Sequence, residues 1–185
     1  MNIVIKDKNK FDQIKDKILQ AGWDKLQILS DFDRTLTYGL VDGKKSSSLL
    51  SLFEKSCKFG EEYNIQAKAL FDKYYPIEVD LSIPLEERKK EMVNWWLEVY
   101  NLFVKYGLKK SDLEEVIKSS DLKLRDGVFE FLQFLKEKNI PLIIFSATGC
   151  GEMVEMFLRK NNCNFPNIYY IVNKLKWDEN GKAVS

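Results

Sequence analysis

Four apolar residues in a row, Leu142-Ile143-Ile144-Phe145, stand between Pro141 and Ser146 with a helical pattern on either side. A strand that is apolar on both faces must be covered on both, which is the position of a central strand in a parallel sheet. A shorter run, Leu26 to Leu29, ends in a charged break after Ser30, and Tyr169 to Val172 reads as a further strand. Helical spacing links Phe11, Ile14, Ile18 and Leu19 up to Ala21-Gly22, and a helix is expected from about Gly151 to Lys160. Asp126 is expected to cap the helix carrying Val128, Phe131, Leu132 and Leu135. These segments alternate as β-α-β and predict an α/β fold with a parallel sheet.

The middle of the chain has a different pattern. After the polar stretch Thr37 to Ser48, helical patterns cover roughly Leu49 to Tyr74 with a break near Gly60. Tyr75-Pro76-Ile77-Glu78-Val79-Asp80 reads as a turn, because proline lacks the N–H that continues a helix. Pro84 suits the first turn of a long helix whose apolar positions include Met92, Trp95, Trp96, Val99, Leu102 and Phe103. Ser111-Asp112-Leu113-Glu114 has the form of a capping box. The expected organisation is a sheet core from residues 1–38 and 119–185, with a helical insert, residues 39–118, after the first strand.

Charge and cysteine usage narrow the chemistry. The 185 residues hold 29 Lys plus Arg against 28 Asp plus Glu, a net charge of +1, and no His. That balance argues against a nucleic-acid partner. The lack of His removes Ser-His-Asp and Cys-His nucleophilic catalysis and HExxH zinc sites, leaving carboxylates, Lys, Tyr, Cys or metal-bound water for acid-base work. Cys57, Cys150 and Cys163 form no CxxC pair, so reduced thiols are expected. With no signal-peptide pattern in MNIVIKDKNKFDQ and no bilayer-length apolar run, a cytoplasmic protein without a membrane partner is expected.

The residues beyond the first strand carry the chemistry. Asp31 and Asp33 are two apart, so in extended backbone they point the same way and their carboxylates converge. Such a pair needs a divalent cation or a shared proton to offset its repulsion, and oxygen donors alone favour magnesium over zinc. Beside such a cation one Asp can attack phosphorus while the other moves a proton to the leaving oxygen. An EF-hand loop requires Gly sixth and Glu twelfth, where this chain has Leu36 and Asp42. Glycosidase carboxylates normally come from separate strands. A bare D-x-D is more often a solvated loop with Asp33 making a turn; the preceding strand and the context DFDRTLT count against that.

SDFDRTLT resembles the first motif, D-x-D-x-T-L, of the haloacid dehalogenase superfamily, mostly magnesium-dependent phosphatases that work through an aspartyl-phosphate. From about Phe11 onward, KLQILSDFDRTLT, KYYPIEVD, EMVNWW, SSDLKLRDGVFEFL, IPLIIFSA and NKLKWDENG resemble the cytosolic pyrimidine 5′-nucleotidase family (type III). The resemblance implies a Rossmann-like, haloacid dehalogenase-like core with a helical cap. It also implies Mg2+-dependent hydrolysis of a nucleoside monophosphate (CMP, UMP or 7-methyl-GMP) to nucleoside and phosphate. By the same resemblance Asp31 is nucleophile and metal ligand; Asp33 is the general acid-base, its backbone carbonyl a second ligand. Ser146 and Ala147 hold the phosphoryl group, and Glu78 recognises the base. A carboxylate accepts from an exocyclic amine or ring N–H, which suits cytosine or a methylated guanine. Trp95, Trp96, Tyr74 and Tyr75 are candidates to stack on that base, although aromatics at helical spacing more often fill a core.

The chain also departs from the family pattern. Val99 stands where the family has a base-binding Ser, and Thr148-Gly149-Cys150-Gly151-Glu152 is one residue longer than the usual G-x-G-D. The family's later Lys and G-D-S-x-x-D motifs fall beyond the point where this sequence stops, so the last core strands are expected to be missing. Donors of that kind stabilise a transition state by about 3–4 kcal/mol each. The expectation is therefore weak or no turnover by this chain alone, with a non-catalytic nucleotide-binding or protein-interaction role as the alternative.

Overall fold

The computed structural model describes residues 4–41, 43–56 and 58–184. Its three-stranded parallel sheet has the order β1 (Ile28–Ser30), β4 (Leu142–Ser146), β5 (Ile168–Val172), with the apolar run in the centre as its sequence requires. Leu142 pairs with Ile28 on one side and Ile168 on the other. The crossover from β4 to β5 runs through α7 (Glu152–Lys160), which buries Met153, Val154, Phe157 and Leu158. Helix α6 (Val128–Glu137) precedes β4 and buries Leu132 and Leu135.

Between β1 and α6 come a small antiparallel hairpin and four helices. The hairpin, β2 (Leu40–Val41) and β3 (Lys44–Lys45), falls in the polar stretch and turns at Gly43, whose φ of 75° favours glycine. Helices α2 (Leu49–Lys55) and α3 (Gly60–Val79) flank the break near Gly60, and α4 (Leu85–Lys105) packs along α3. An aromatic cluster, Phe53 with Phe59, Tyr63 and Phe103, joins three of these helices through edge-on ring contacts.

Several expectations require correction. Tyr75 to Val79 is not a turn: α3 continues through Pro76 to Val79. Pro76 sits in the last turn, where it forfeits one ladder bond and its own carbonyl still accepts from Asp80 N–H at 3.2 Å. Tyr74 stacks on Trp95 at 5.8 Å and ties this turn to α4. Pro84 is the residue before α4 rather than within it. Helix α5 (Lys110–Ser119) begins one residue before Ser111, and Asp112, not Glu114, reaches back to accept from Lys109 N–H at 2.9 Å. Asp126 does not cap α6; the helix follows Gly127, whose left-handed backbone (φ 81°) makes the entry turn.

Cys150 and Cys163 are free thiols, both buried, and Cys57 lies outside the described residues. Helix α1 (Lys8–Ala21) has the predicted extent but buries none of its apolar residues. One face of the sheet is likewise open: Leu29, Phe145, Tyr169 and Ile171 are each more than half exposed. Among the described residues no helix is long and apolar enough to cross a membrane.

Candidate active site

The alternation of the D-F-D triplet is set by its middle residue. Phe32 is fully buried, edge-on to Phe157 at 5.7 Å, so its two neighbours are turned outward at the carboxyl end of β1. The chain then closes into a tight turn, with Leu36 and Thr37 N–H both donating to Phe32 O and Arg34 in the left-handed region (φ 64°). Arg125, from the segment before α6, clamps the turn by donating to Thr37 O at 3.1 Å and Arg34 O at 2.6 Å. Nothing in the spacing of the sequence marked Arg125 as part of this loop.

Asp31 is exposed and accepts from Thr35 Oγ1 at 2.8 Å. Asp33 is half-buried and accepts from Leu49 N–H at 3.1 Å, the first residue of α2. Burial raises the Asp33 carboxyl above its ordinary value, and the Asp31 charge adds to that; the Leu49 N–H and Arg34 act in the opposite direction. Two oxygen-donor acids whose charges oppose each other are a fit for a hard divalent cation, which would relieve the repulsion. Among the described residues no third acidic, Cys or His side chain completes a metal cluster.

The end of β4 supplies the second part. Ser146 is buried and its Oγ accepts from Thr148 N–H at 3.3 Å, six residues ahead of α7, so it caps no helix. Ala147 is exposed, and Asn173 Nδ2 donates to the carbonyls of Ala147 and Thr148 at 3.2 Å each. Two glycines let this loop lie where it does. A Cβ on Gly149 would stand 2.4 Å from the Trp96 ring, and one on Gly151 would stand 2.3 Å from Asn173 O.

Between the loop and the helices lies a cavity of about 420 Å³. Ala147 and Ser48 line it on the side of the carboxylates, since Ser48 precedes the Leu49 amide that holds Asp33. Glu78, Trp95, Trp96 and Val99 line it from α3 and α4, and Tyr63 and Phe71 add two further rings. Tyr74 and Tyr75 do not belong to it: Tyr74 is buried with its hydroxyl on Glu98 at 2.6 Å, and Tyr75 stacks on Phe71 at 4.8 Å. Sequence reading missed Glu54, which lines the cavity from α2. The signal was present, because Ser48, Ser51 and Glu54 recur at three-residue steps on one helical face.

Comparisons with known proteins show the family to which the chain is similar. The family described as Pyrimidine 5′-nucleotidase (UMPH-1) matches residues 34–185. The chain is 36% identical over 165 residues to 7-methylguanosine phosphate-specific 5′-nucleotidase A of Xenopus laevis, covering 89% of this chain and 57% of that protein. Against the 7-methylguanosine phosphate-specific 5′-nucleotidase of Homo sapiens it is 32% identical over 179 residues, 97% of this chain and 59% of that one. The crystal structure of cytosolic 5′-nucleotidase IIIB bound to cytidine superposes with a TM-score of 0.85 at 28% identity, over 98% of this chain and 62% of that chain. The chain thus spans about three-fifths of the length of these relatives.

Proposed function

This chain belongs to the pyrimidine 5′-nucleotidase (UMPH-1) family, and from that premise we propose that it binds a nucleoside 5′-monophosphate for hydrolysis to nucleoside and phosphate. The observation that carries the reading is a cavity lined at one end by Ala147, the residue after Ser146, and by Ser48, beside the amide that holds Asp33, and elsewhere by Glu78 and the two tryptophans; Asp31, Asp33 and Ser146 are not themselves among the residues that line it. In this reading the phosphate lies at the carboxyl ends of β1 and β4, where ligands of such sheets bind, and the base lies among the helical residues of a cap spanning 39–118. CMP, UMP and 7-methyl-GMP are the substrates to test, and the cytoplasm is the proposed location.

Asp31, the more exposed acid, attacks phosphorus; the P–O bond to the nucleoside breaks and phosphate is carried on Asp31 until water releases it. Asp33, its carboxyl raised by burial, is suited to hold a proton and deliver it to the departing 5′-oxygen. Ser146 Oγ and the loop amides after it are donors for phosphoryl oxygens. Asp31 and the Asp33 carbonyl would hold Mg2+, which when bound supplies charge neutralisation at the phosphoryl group. Glu78 accepts from the amino or ring N–H edge of the base, and Trp95 and Trp96 offer it stacking faces.

The test is phosphate release from CMP, UMP and 7-methyl-GMP with Mg2+. It compares this chain, its Asp31→Asn variant, and the chain extended with the C-terminal segment of the Xenopus relative. Release by the extended chain, abolished by Asp31→Asn, is expected; an inactive extended chain removes the enzymatic reading. A second reading, nucleotide binding without turnover, is favoured by the two-acid site, where no third acidic, Cys or His side chain completes a metal cluster among the described residues. It predicts calorimetric binding of nucleotide by this chain with no phosphate released.

A further inference from the structure

The outward positions of the parallel sheet are apolar in all three strands. Strand register sets Leu29, Ile143 and Tyr169 side by side in one row, and Phe145 beside Ile171 in the next. Leu29, Phe145, Tyr169 and Ile171 are more than half exposed, Ile143 is partly exposed, and no charged residue falls among them. The crossovers from β1 to β4 and from β4 to β5 step across the sheet in the same direction, so right-handed connections put α6 and α7 on one side. There Leu132, Leu135 and Phe157 share a core with Leu142 and Ile144. A parallel sheet is normally covered on both sides; here the second side is bare.

Helix α1 is the other unpartnered surface. Phe11, Ile14, Ile18 and Leu19 form one stripe, all exposed, and the helix buries no residue. The stretch that joins α1 to β1 is anchored by Trp23, which lies edge-on to Phe134 of α6 at 5.7 Å. Since α6 packs on the covered side of the sheet, α1 is rooted opposite the bare face. Within one copy the two apolar surfaces do not meet.

We propose that they meet between copies: α1 of each chain packs across the bare sheet face of a second copy, and the exchange is reciprocal about a two-fold axis. From Phe11 to Ile18 the stripe runs about 10.5 Å, and the three strands lie about 10 Å apart from first to last, so the ridge of one surface spans the width of the other. Area selects this arrangement. The exposed parts of the five sheet residues come to about 500 Å², as large as the largest patch on an ordinary monomer, and those of the α1 stripe to about 400 Å². Sheet against sheet alone would bury about 1,000 Å² in all, the lower limit for a specific interface, whereas two helix-on-sheet contacts bury about 1,800 Å², the standard size. The proposal stands without the nucleotidase reading, because neither surface includes a residue of the candidate site.

Light scattering of the chain as it elutes from a sizing column, with two substitutions and their mixture, tests this. The wild-type chain is expected at twice its 21.7 kDa. Ile14→Asp, on the helix stripe, and Ile171→Lys, on the sheet face, are each expected to elute as monomers; both positions are exposed, so far-UV circular dichroism should match the wild-type chain. Should either spectrum differ, Ile18→Asp or Tyr169→Lys takes its place. Mixing the two variants restores one sound contact out of two, the intact α1 of Ile171→Lys on the intact sheet of Ile14→Asp, so a weaker heterodimer is expected from the mixture. A wild-type monomer at about 100 μM, above the weakest dissociation constants of interfaces this size, overturns the proposal, whether α1 folds back onto its own sheet or a different partner covers it. A dimer that survives Ile14→Asp also overturns it, since the sheets would then pair without the helix. A mixture that stays monomeric excludes the reciprocal exchange.

Discussion

Gly151→Ala is expected to destabilise the chain severely although its backbone is ordinary, with φ −61° and ψ −23°. The added Cβ would stand 2.3 Å from Asn173 O, 2.5 Å from Val172 Cβ and 2.6 Å from Val172 Cγ2, well inside the 3.4 Å at which ordinary contact begins. The nearest of these atoms is backbone at the end of β5, so no rotamer relieves the clash. The loop must instead move off the strand and break the 3.0 Å bond from Gly151 N–H to Asn173 O. Overpacking costs about 1–3 kcal/mol and the lost bond about 1 kcal/mol, together about 3 kcal/mol. For a chain of this size each kcal/mol lowers Tm by about 2–4 °C, so a fall of about 6–12 °C is expected in a circular-dichroism melt. Gly39→Ala is the control, with its nearest neighbour at 3.6 Å. A Gly151→Ala melt within 2 °C, about the worth of half a kcal/mol, of the Gly39→Ala melt would show that the loop does not lie against β5. Gly149→Ala offers the contrast. Its Cβ meets the Trp96 ring at 2.4 Å, and a side chain bordering a cavity can swing aside. It should cost less stability than Gly151→Ala and, on the proposed reading of the cavity, more nucleoside affinity, because the ring it displaces forms part of the cavity wall.

Three further outcomes are expected. Lys160 Nζ donates to the carbonyls of Ile117, Lys118 and Ser120 at the end of α5, at 2.7, 3.2 and 3.1 Å, so Lys160→Met should lower Tm by about 3–6 °C, as expected for a lost charge-assisted cap of about 1.5 kcal/mol. In chelator, Asp33→Asn should melt above the wild-type chain at pH 7, because it removes a charge that the fold disfavours while Asn still accepts from Leu49 N–H. The folded carboxyl is raised, so the wild-type chain gains stability from this group as pH falls through its folded value toward 3.8. The difference between the two melts should therefore shrink on acidification, and a constant difference across pH 4–8 (the carboxylate range and beyond) would contradict the cause given. Cys150, fully buried with its thiol pushed well up by burial, should react with an aromatic disulfide reagent only as fast as the chain opens, which a denaturant series would measure.

The parts of this fold that were legible in the sequence are those in which a local pattern and a global requirement coincide. The run Leu142 to Phe145 lies in the middle of the sheet as expected, but only one of its faces is covered: Leu142 and Ile144 are buried while Phe145 is more than half exposed. Where a local rule stood alone, it failed. Proline at position 76 predicted a turn, yet α3 passes through it, with the Tyr74 to Trp95 stacking among the contacts that hold this end of the helix against α4. Ser111 and Asp126 are good capping residues by type, but the helices begin at Lys110, where Asp112 accepts from Lys109 N–H, and after Gly127, whose left-handed backbone makes the entry turn. Helix α1 shows the reverse: its periodicity was correct and its apolar residues are still not buried, since periodicity does not supply a surface to pack against.

The candidate site divides in the same way. Asp31 and Asp33 could be read because Phe32 between them is obliged to face the core, which fixes both neighbours outward without reference to the rest of the molecule. Arg125 could not be read in that way, since it acts on the carbonyls of Arg34 and Thr37, far away in sequence, whereas Glu54 shares a helical face with Ser48 and Ser51 whose significance appears only with the cavity they line. Helix α2 joins the two kinds of residue. Its first amide fixes Asp33, its serines and Glu54 face the cavity, and Phe53 anchors it among Phe59, Tyr63 and Phe103. A shift of α2 would therefore move the amide that holds Asp33 and the cavity-lining face of the helix together, a link that follows from the packing of Phe53 rather than from any motif.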